Sequence, residues 1–189
     1  MKRLLVCTGL LIAATLTLSA QPSMPMGAPK GPPKSPPATA TATIAGKAIT
    51  ITYSSPRVNG RVGHIFTKDG LISHDPHYPV WRAGANAATS LHTEADLDIG
   101  GLTVPKGDYS LFVDITDPDN WVLIVSKQTG KWGLSYDNTL DLGQVKMTMK
   151  TPPALVENLE YTLTVKGSRK DSLTLSWENH SASVPIIVH

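Results

Sequence analysis

The chain has a single cysteine, Cys7, and it lies inside an N-terminal apolar run. The rest of the chain therefore has no disulfide, no thiolate metal site and no cysteine nucleophile. A basic tract is also missing. The formal net charge is +2, and Lys2 and Arg3 account for it, leaving the remainder close to neutral. Nucleic acid and anionic membrane surfaces are poor partners for such a chain. No window sustains a 3.6-residue apolar period, so at most a single helical turn fits, near Asn138 to Leu142. There is no phosphate-cradling glycine loop, because Gly100-Gly101 precedes a strand rather than a helix. Ser110 and Ser176 have no neighbouring histidine in sequence. Asp117 and Asp119 flank Pro118 and read as turn residues. No internal repeat of useful length is present.

What is present begins with Lys2 and Arg3, an apolar run from Leu4 to Leu18, and the small pair Ser19-Ala20. This order is that of a secretory signal, with cleavage expected after Ala20. The run is too short to span a bilayer comfortably and no charged stop follows it. Cys7 comes too early in the run to be a lipid-attachment cysteine. Residues 21–38 are proline-rich and carry little that could build a core, so they read as a semi-stiff tether. Residues 39–189 are expected to form one domain, exported to the periplasm or beyond the cell. It must hold together by its core alone, for which about 150 residues suffice.

From Thr39 onward short alternating segments are separated by turn chemistry. Ala42-Thr43-Ile44 and Ile49 to Tyr53 flank Gly46-Lys47, a hairpin pattern. Leu97 to Val104 folds over Gly100-Gly101. Ala88–His92, Tyr109–Ile115, Trp121–Val125, Val145–Lys150, Glu160–Val165, Leu173–Trp177 and Val184–Val188 complete the set, with turns at Asn59-Gly60, Pro105-Lys106-Gly107 and Asp117 to Asn120. In Val145 to Lys150 and in Tyr161 to Val165 every second residue is apolar, the mark of a strand with one buried and one wet face. About nine or ten short antiparallel strands predict an all-β, two-sheet, jelly-roll-like sandwich. Tyr109, in a Pro-x-Gly-x-Tyr setting at a strand start, is expected to turn its ring inward and its hydroxyl to backbone.

Val80-Trp81-Arg82-Ala83-Gly84-Ala85-Asn86-Ala87-Ala88-Thr89 resembles the V-W-R-T-G-A-N-E-A-T core of the bacterial domain-of-unknown-function family numbered 2911. Tyr53-Ser54-Ser55-Pro56 with Gly60-Arg61 is similar to its Y-S-R-P…G-R segment. The stretch from Leu102 to Phe112 is similar to its L-P-A-G-x-Y-S-L-F segment. Trp121 to Ile124 and Lys131-Trp132-Gly133 match its later strand and W-G turn. The resemblance implies an exported β-domain and supplies no catalytic residue. This chain departs from the pattern at Ala87, Ala83 and Ser55, where the family has glutamate, threonine and arginine. A mechanism built on that glutamate would fail here.

The segment Trp81 to Thr89 holds the candidate ligand-binding residues Trp81, Arg82, Asn86 and Thr89. Trp81 is either a stacking platform at a pocket mouth or a core filler. Arg82 either grips a carboxylate or sugar hydroxyls, or pairs with an acid such as Glu94 or Asp96, since a buried arginine must be paired. Gly84 and Asn86 suit a tight turn. His74 and His77, with His64 and Asp69 upstream, are weak metal-ligand candidates; Pro76 interrupts any regular spacing. No metal and no cofactor is expected. Tyr78, Trp132 and Tyr136 suit either sugar stacking or the plugging of an open sandwich end, and plugging is the reading preferred.

The expectation is a non-catalytic binding or interaction module of the cell envelope. Its partner is a small molecule, a glycan or an envelope protein, with no nucleic acid and no membrane span after signal removal. The alternative is a small hydrolase or isomerase whose polar, metal-assisted site gathers Arg82, Asn86, His74 and His77.

Overall fold

The computed structural model describes residues 34–189. The expected signal, 1–20, and most of the expected tether, 21–33, lie outside the described residues. The last residues read as tether are strand: β1 runs Pro37–Ile44 and is followed by β2, Lys47–Ser54. Ile44 pairs with Lys47 across Ala45 and Gly46, whose φ values are 50° and 75°. Two consecutive positive φ values make the turn whose twist suits a two-residue hairpin. The second expected hairpin is also present. It joins β5, Leu97–Ile99, to β6, Leu102–Val104, over the positive-φ pair Gly100 and Gly101.

The remaining strands are β3 (Val80–Trp81), β4 (Thr89–Thr93), β7 (Gly107–Asp114), β8 (Val122–Ser126) and β9 (Asp141–Lys146). They are followed by β10 (Thr148–Lys150), β11 (Val156–Leu163), β12 (Lys170–Glu178) and β13 (His180–Val188). One sheet has the order β1-β2-β4-β7-β8-β9, with β3 also on β7; the other has the order β11-β12-β13-β5-β6, with β10 also on β13. All pairings are antiparallel, and the sheets do not close into a barrel. The architecture is the all-β two-sheet sandwich that the alternation predicts. The strand count exceeds nine or ten because the two-residue β3 was not foreseen and the segment Val145 to Lys150 is divided between β9 and β10. The one helical turn foreseen occupies Asn138–Leu140, and a second, unforeseen, occupies Ile72–His74.

One expectation is corrected. Val145 to Lys150 reads as a single strand, but the chain changes sheets at Met147. Up to Lys146 it pairs with β8, the Met147 amide then donates to the Trp121 carbonyl at 2.8 Å, and Thr148–Lys150 pairs with β13. Val145 and Met147 are both buried in the same core. Period-2 hydrophobicity records which face is buried and says nothing about which strand supplies the hydrogen bonds, so the corner left no mark on the pattern.

The core lies between the sheets. Ile49 and Ile51 of β2, Leu91 of β4, Leu111 and Val113 of β7 face Leu173 and Leu175 of β12 and Val184 and Ile186 of β13, all buried. Each such side chain contributes about 1.5–3 kcal/mol on burial. Tyr109 behaves as its setting predicts: its ring is buried and its hydroxyl donates to the Pro105 carbonyl at 2.8 Å.

One end of the sandwich is closed by the connection from Ser55 to Pro79. It brings Phe66 against Trp81, Trp121, Trp177 and His180, with ring centroids 4.7–5.7 Å away. These residues, rather than Trp132 and Tyr136, plug the end; Tyr78, in the same connection, is 36% exposed. The segment 127–140 instead lies across the outer face of the seven-stranded sheet. Its Tyr136 packs on Phe112 at 4.7 Å, and Phe112 and Ile124 are buried there outside the main core. Trp132 of the same segment is 58% exposed.

Candidate functional site

The segment that follows β3 is held by backbone demands that account for most of its unusual composition. Ala83 and Asn86 have φ of 55° and 60°. For a non-glycine residue the left-handed conformation costs about 1–2 kcal/mol, and here it is locked by side chains. The Ala83 carbonyl accepts from the Thr89 hydroxyl at 3.0 Å and from the Tyr161 hydroxyl at 2.9 Å. Burial pushes the Tyr161 phenol well above its usual range, so it remains a donor. The Trp81 indole N–H donates to the Gly84 carbonyl at 3.1 Å. Gly84 itself has ordinary φ; it is needed because a Cβ would sit 2.9 Å from Thr89 Oγ1 and 3.2 Å from the Ser54 carbonyl. The Asn86 amide donates to Ser54 Oγ at 3.2 Å.

Arg82 is the residue whose side chain this scheme does not use. It enters a cavity of about 590 Å³ at the plugged end of the sandwich, with Trp81 and Trp177 among its walls. Its partner is Asp75: Arg82 Nη2 lies 3.3 Å from Asp75 Oδ2, and the side chains are 19% and 3% exposed. Glu94 and Asp96, the partners considered from sequence, are occupied elsewhere. Glu94 accepts from the Ala48 amide and Asp96 from the Lys106 amide, each at 2.8 Å. Arg82 also donates from Nη1 to the Asn86 carbonyl at 3.3 Å.

The Arg82–Asp75 contact is an ion pair without hydrogen-bond alignment, and it leaves polar atoms unsatisfied. Among the described residues, Asp75 Oδ2, Arg82 Nε and Trp177 Nε1 are all buried without a hydrogen-bond partner. All three belong to residues lining this one cavity. An unpaired buried polar group costs about 1–3 kcal/mol; Arg82 Nε and Trp177 Nε1 are in that position, while Asp75 Oδ2 keeps the nearby charge of Arg82 Nη2 without a hydrogen bond. The charge of the lining is one-sided. Lys34, Arg57, Arg61 and Arg82 are cationic, and Asp75 is the acid among the lining residues. Arg57 shares part of its charge with Glu157 at 3.7 Å, an exposed pair. Arg61 is held by its own donation to the Val58 and Arg57 carbonyls at 3.0 and 2.8 Å.

The residues singled out from sequence are distributed as follows. Trp81 and Arg82 line the cavity, and so does His74. Asn86 and Thr89 do not; they hold the turn that carries Arg82. His77 is separate from the cavity. Its Nε2 meets the Leu134 carbonyl at 3.0 Å and the Tyr136 amide at 3.2 Å, tying down the segment 127–140. Among the described residues no group of three histidine, aspartate or glutamate side chains is placed to hold a metal ion. The set Arg82, Asn86, His74 and His77 thus does not converge as a unit. Sequence reasoning missed Arg61 and Trp177. Trp177 reads as one more apolar strand position, and only the fold leaves its indole N–H buried without a hydrogen-bond partner among the described residues. Asp75, between the loop residues His74 and Pro76, was not among the acids considered for Arg82.

Among the described residues no helix is long and apolar enough to cross a membrane. No curated protein and no solved structure matches this chain. A family model described as a protein of unknown function, DUF2911, matches residues 35–186. That span takes in both sheets, the Trp81–Thr89 turn and nearly all of the cavity lining, and the chain therefore belongs to the DUF2911 family.

Proposed function

We propose that the domain is a binding module of the cell envelope that holds a small organic anion in the cavity beside Arg82. The observation that carries this reading is the coincidence, around one space of about 590 Å³, of Arg82 Nε and Trp177 Nε1, buried without a hydrogen-bond partner among the described residues, and of Asp75 Oδ2, which has an ion-pair contact to Arg82 but no hydrogen bond. A ligand with acceptor oxygens would satisfy the two N–H groups, and a hydroxyl or ammonium on it would satisfy Asp75. The cationic rim of Lys34, Arg57 and Arg61 favours a carboxylate-bearing molecule over a neutral one. The indole walls would cover its apolar part. In this reading the N-terminal segment 1–20 directs export, and the ligand is met in the periplasm or outside the cell.

Thermal melts with a panel of mono-, di- and hydroxycarboxylates test the proposal. A ligand present at a hundred times its Kd stabilises the fold by about 2.7 kcal/mol, a shift easily seen. Arg82→Lys should weaken that shift, because the compact ammonium replaces a planar fork. A panel that leaves the melting temperature unchanged at millimolar concentrations, or an acid that binds Arg82→Lys as tightly as wild type, would remove the basis for the reading.

A further inference from the structure

We propose that Trp132 and the hydroxyl-bearing outer face of the seven-stranded sheet form a second site, one for the ring of a neutral saccharide. Of the four tryptophans, Trp81, Trp121 and Trp177 are 1% exposed while Trp132 is 58% exposed. The contrast is informative because the segment 127–140 has an apolar floor available and uses it. Phe112 and Ile124 are buried under the segment, and Tyr136 lies against Phe112 with its hydroxyl donating to Asp141 at 2.7 Å. The indole is left outside that floor.

Its mount is fixed. Trp132 forms a backbone bridge with Ala87, and the Gly133 amide donates to the Asn86 carbonyl at 3.1 Å. Gly133 cannot be replaced without movement, since a Cβ there would lie 2.5 Å from the Asn86 carbonyl oxygen and 2.3 Å from Arg82 Cδ. The segment's interior is braced in turn by the Gln128 amide donating to the Ser135 carbonyl and the Asp137 amide donating to Gln128 Oε1. An exposed indole on a rigid support loses little entropy when a ligand covers it.

Trp132 borders a cavity of about 400 Å³ whose other walls include Thr52, Ser54, Ser90 and Ser110. These come from β2, β4 and β7, neighbours in the sheet, at positions paired Thr52↔Ser90 and Ser90↔Ser110. Thr52 and Ser90 are exposed, Ser54 is half-buried and Ser110 is buried; Ser90 Oγ donates to the Thr52 carbonyl at 3.4 Å and keeps its acceptor sites. Ser54 Oγ accepts from the Asn86 amide at 3.2 Å and keeps its own hydrogen to donate. Among the described residues the lining holds no acidic side chain, and Lys131 is its only charged one. An aromatic plane beside a row of hydroxyls, with almost no charge, suits a molecule that is apolar on its ring face and hydroxylated on its edge. A sugar ring has that chemistry.

The test uses chitotetraose, cellotetraose and maltotetraose as probes, with calorimetry and iodide quenching of tryptophan emission as readouts. Iodide reaches an exposed indole and not buried ones, so the quenchable emission reports Trp132. At least one of these tetrasaccharides should bind at millimolar concentration or tighter and shield that emission. Trp132→Ala should weaken binding at least about tenfold with an unchanged melting temperature, and Ser54→Ala in the floor should weaken it less. Absence of binding by all three probes would overturn the proposal. So would a sugar whose affinity survives Trp132→Ala, or one lost only in Arg82→Lys, which would place it in the other cavity.

Discussion

Replacing Arg82 by alanine separates the forces at the end cavity. Asp75 is 3% exposed and Arg82 Nη2, at 3.3 Å, is the cation beside it. Removing one partner of a buried pair costs about 3–5 kcal/mol, because the other charge is left uncompensated. Here the loss is reduced, since Arg82 is itself 19% exposed and its removal opens a path for water to Asp75. The Nη1 bond to the Asn86 carbonyl is lost as well, worth about 1 kcal/mol. The expected total is about 2–4 kcal/mol, or roughly 5–12 °C in melting temperature for a domain of this size. Urea melts of Arg82→Ala, Asp75→Asn and the double variant form a cycle. If the cost comes from the stranded carboxylate, adding Asp75→Asn to Arg82→Ala recovers part of it, with a coupling of about 1–3 kcal/mol. An Arg82→Ala protein that melts within a degree of wild type, or single-variant costs that simply add, would refute the argument. A large destabilisation does not remove Arg82 from the ligand site, because Asp75 lines the same cavity. The carboxylate-induced shift in the Lys variant is what reports binding.

Tyr109→Phe should cost about 1 kcal/mol through loss of the bond to the Pro105 carbonyl, and Tyr109→Ala about 3–5 kcal/mol; equal, near-zero losses in denaturant melts would show that the buried corner contributes nothing. Burial raises the pKa of Asp171, against opposing hydrogen bonds from the Ser172 and Thr164 backbone, and its Oδ2 has no partner. Its folded form therefore holds the proton more tightly than the unfolded chain, so its stabilising contribution is complete below the ordinary carboxylate range and is lost as pH rises through the raised pKa. Asp171→Asn should lack this loss and gain on wild type as pH rises above the ordinary carboxylate range in urea melts, whereas a gain confined to the acidic end would contradict the sign. Exported protein should begin at Gln21, and mass spectrometry that found Met1 to Ala20 retained would disprove the cleavage expected from Lys2, Arg3 and Ser19-Ala20.

Much of the fold was legible because the signals are local. Alternation along β2, β4 and β12 marks which side chains face the core, and Gly46 and Gly100-Gly101 mark turns that need positive φ. The corner at Tyr109 is equally local, since hydroxyl and acceptor are four residues apart. The change of sheet at Met147 was illegible for the opposite reason: the same faces stay buried while the hydrogen-bond partners change from β8 to β13.

Of the functional surfaces, sequence marked Trp81 and Arg82, because the segment Trp81 to Thr89 is richer in such residues than a connector needs, and His74 only as a weak metal-ligand candidate. Which acid would meet Arg82 was beyond it. The sequence offered Glu94 and Asp96, and only the closure of the Ser55–Pro79 connection over the sandwich end brings Asp75 to the guanidinium instead. The exposure of Trp132 and the burial of Trp177 were likewise decided in three dimensions. A tryptophan in a turn and a tryptophan on a strand carry no label for solvent. Alternation and turn chemistry are set by neighbours a few residues away, and so the sequence by itself determines the sandwich. The two cavities are assembled from strands and loops far apart in the chain, so packing alone determines which of their polar atoms find partners and which are left open.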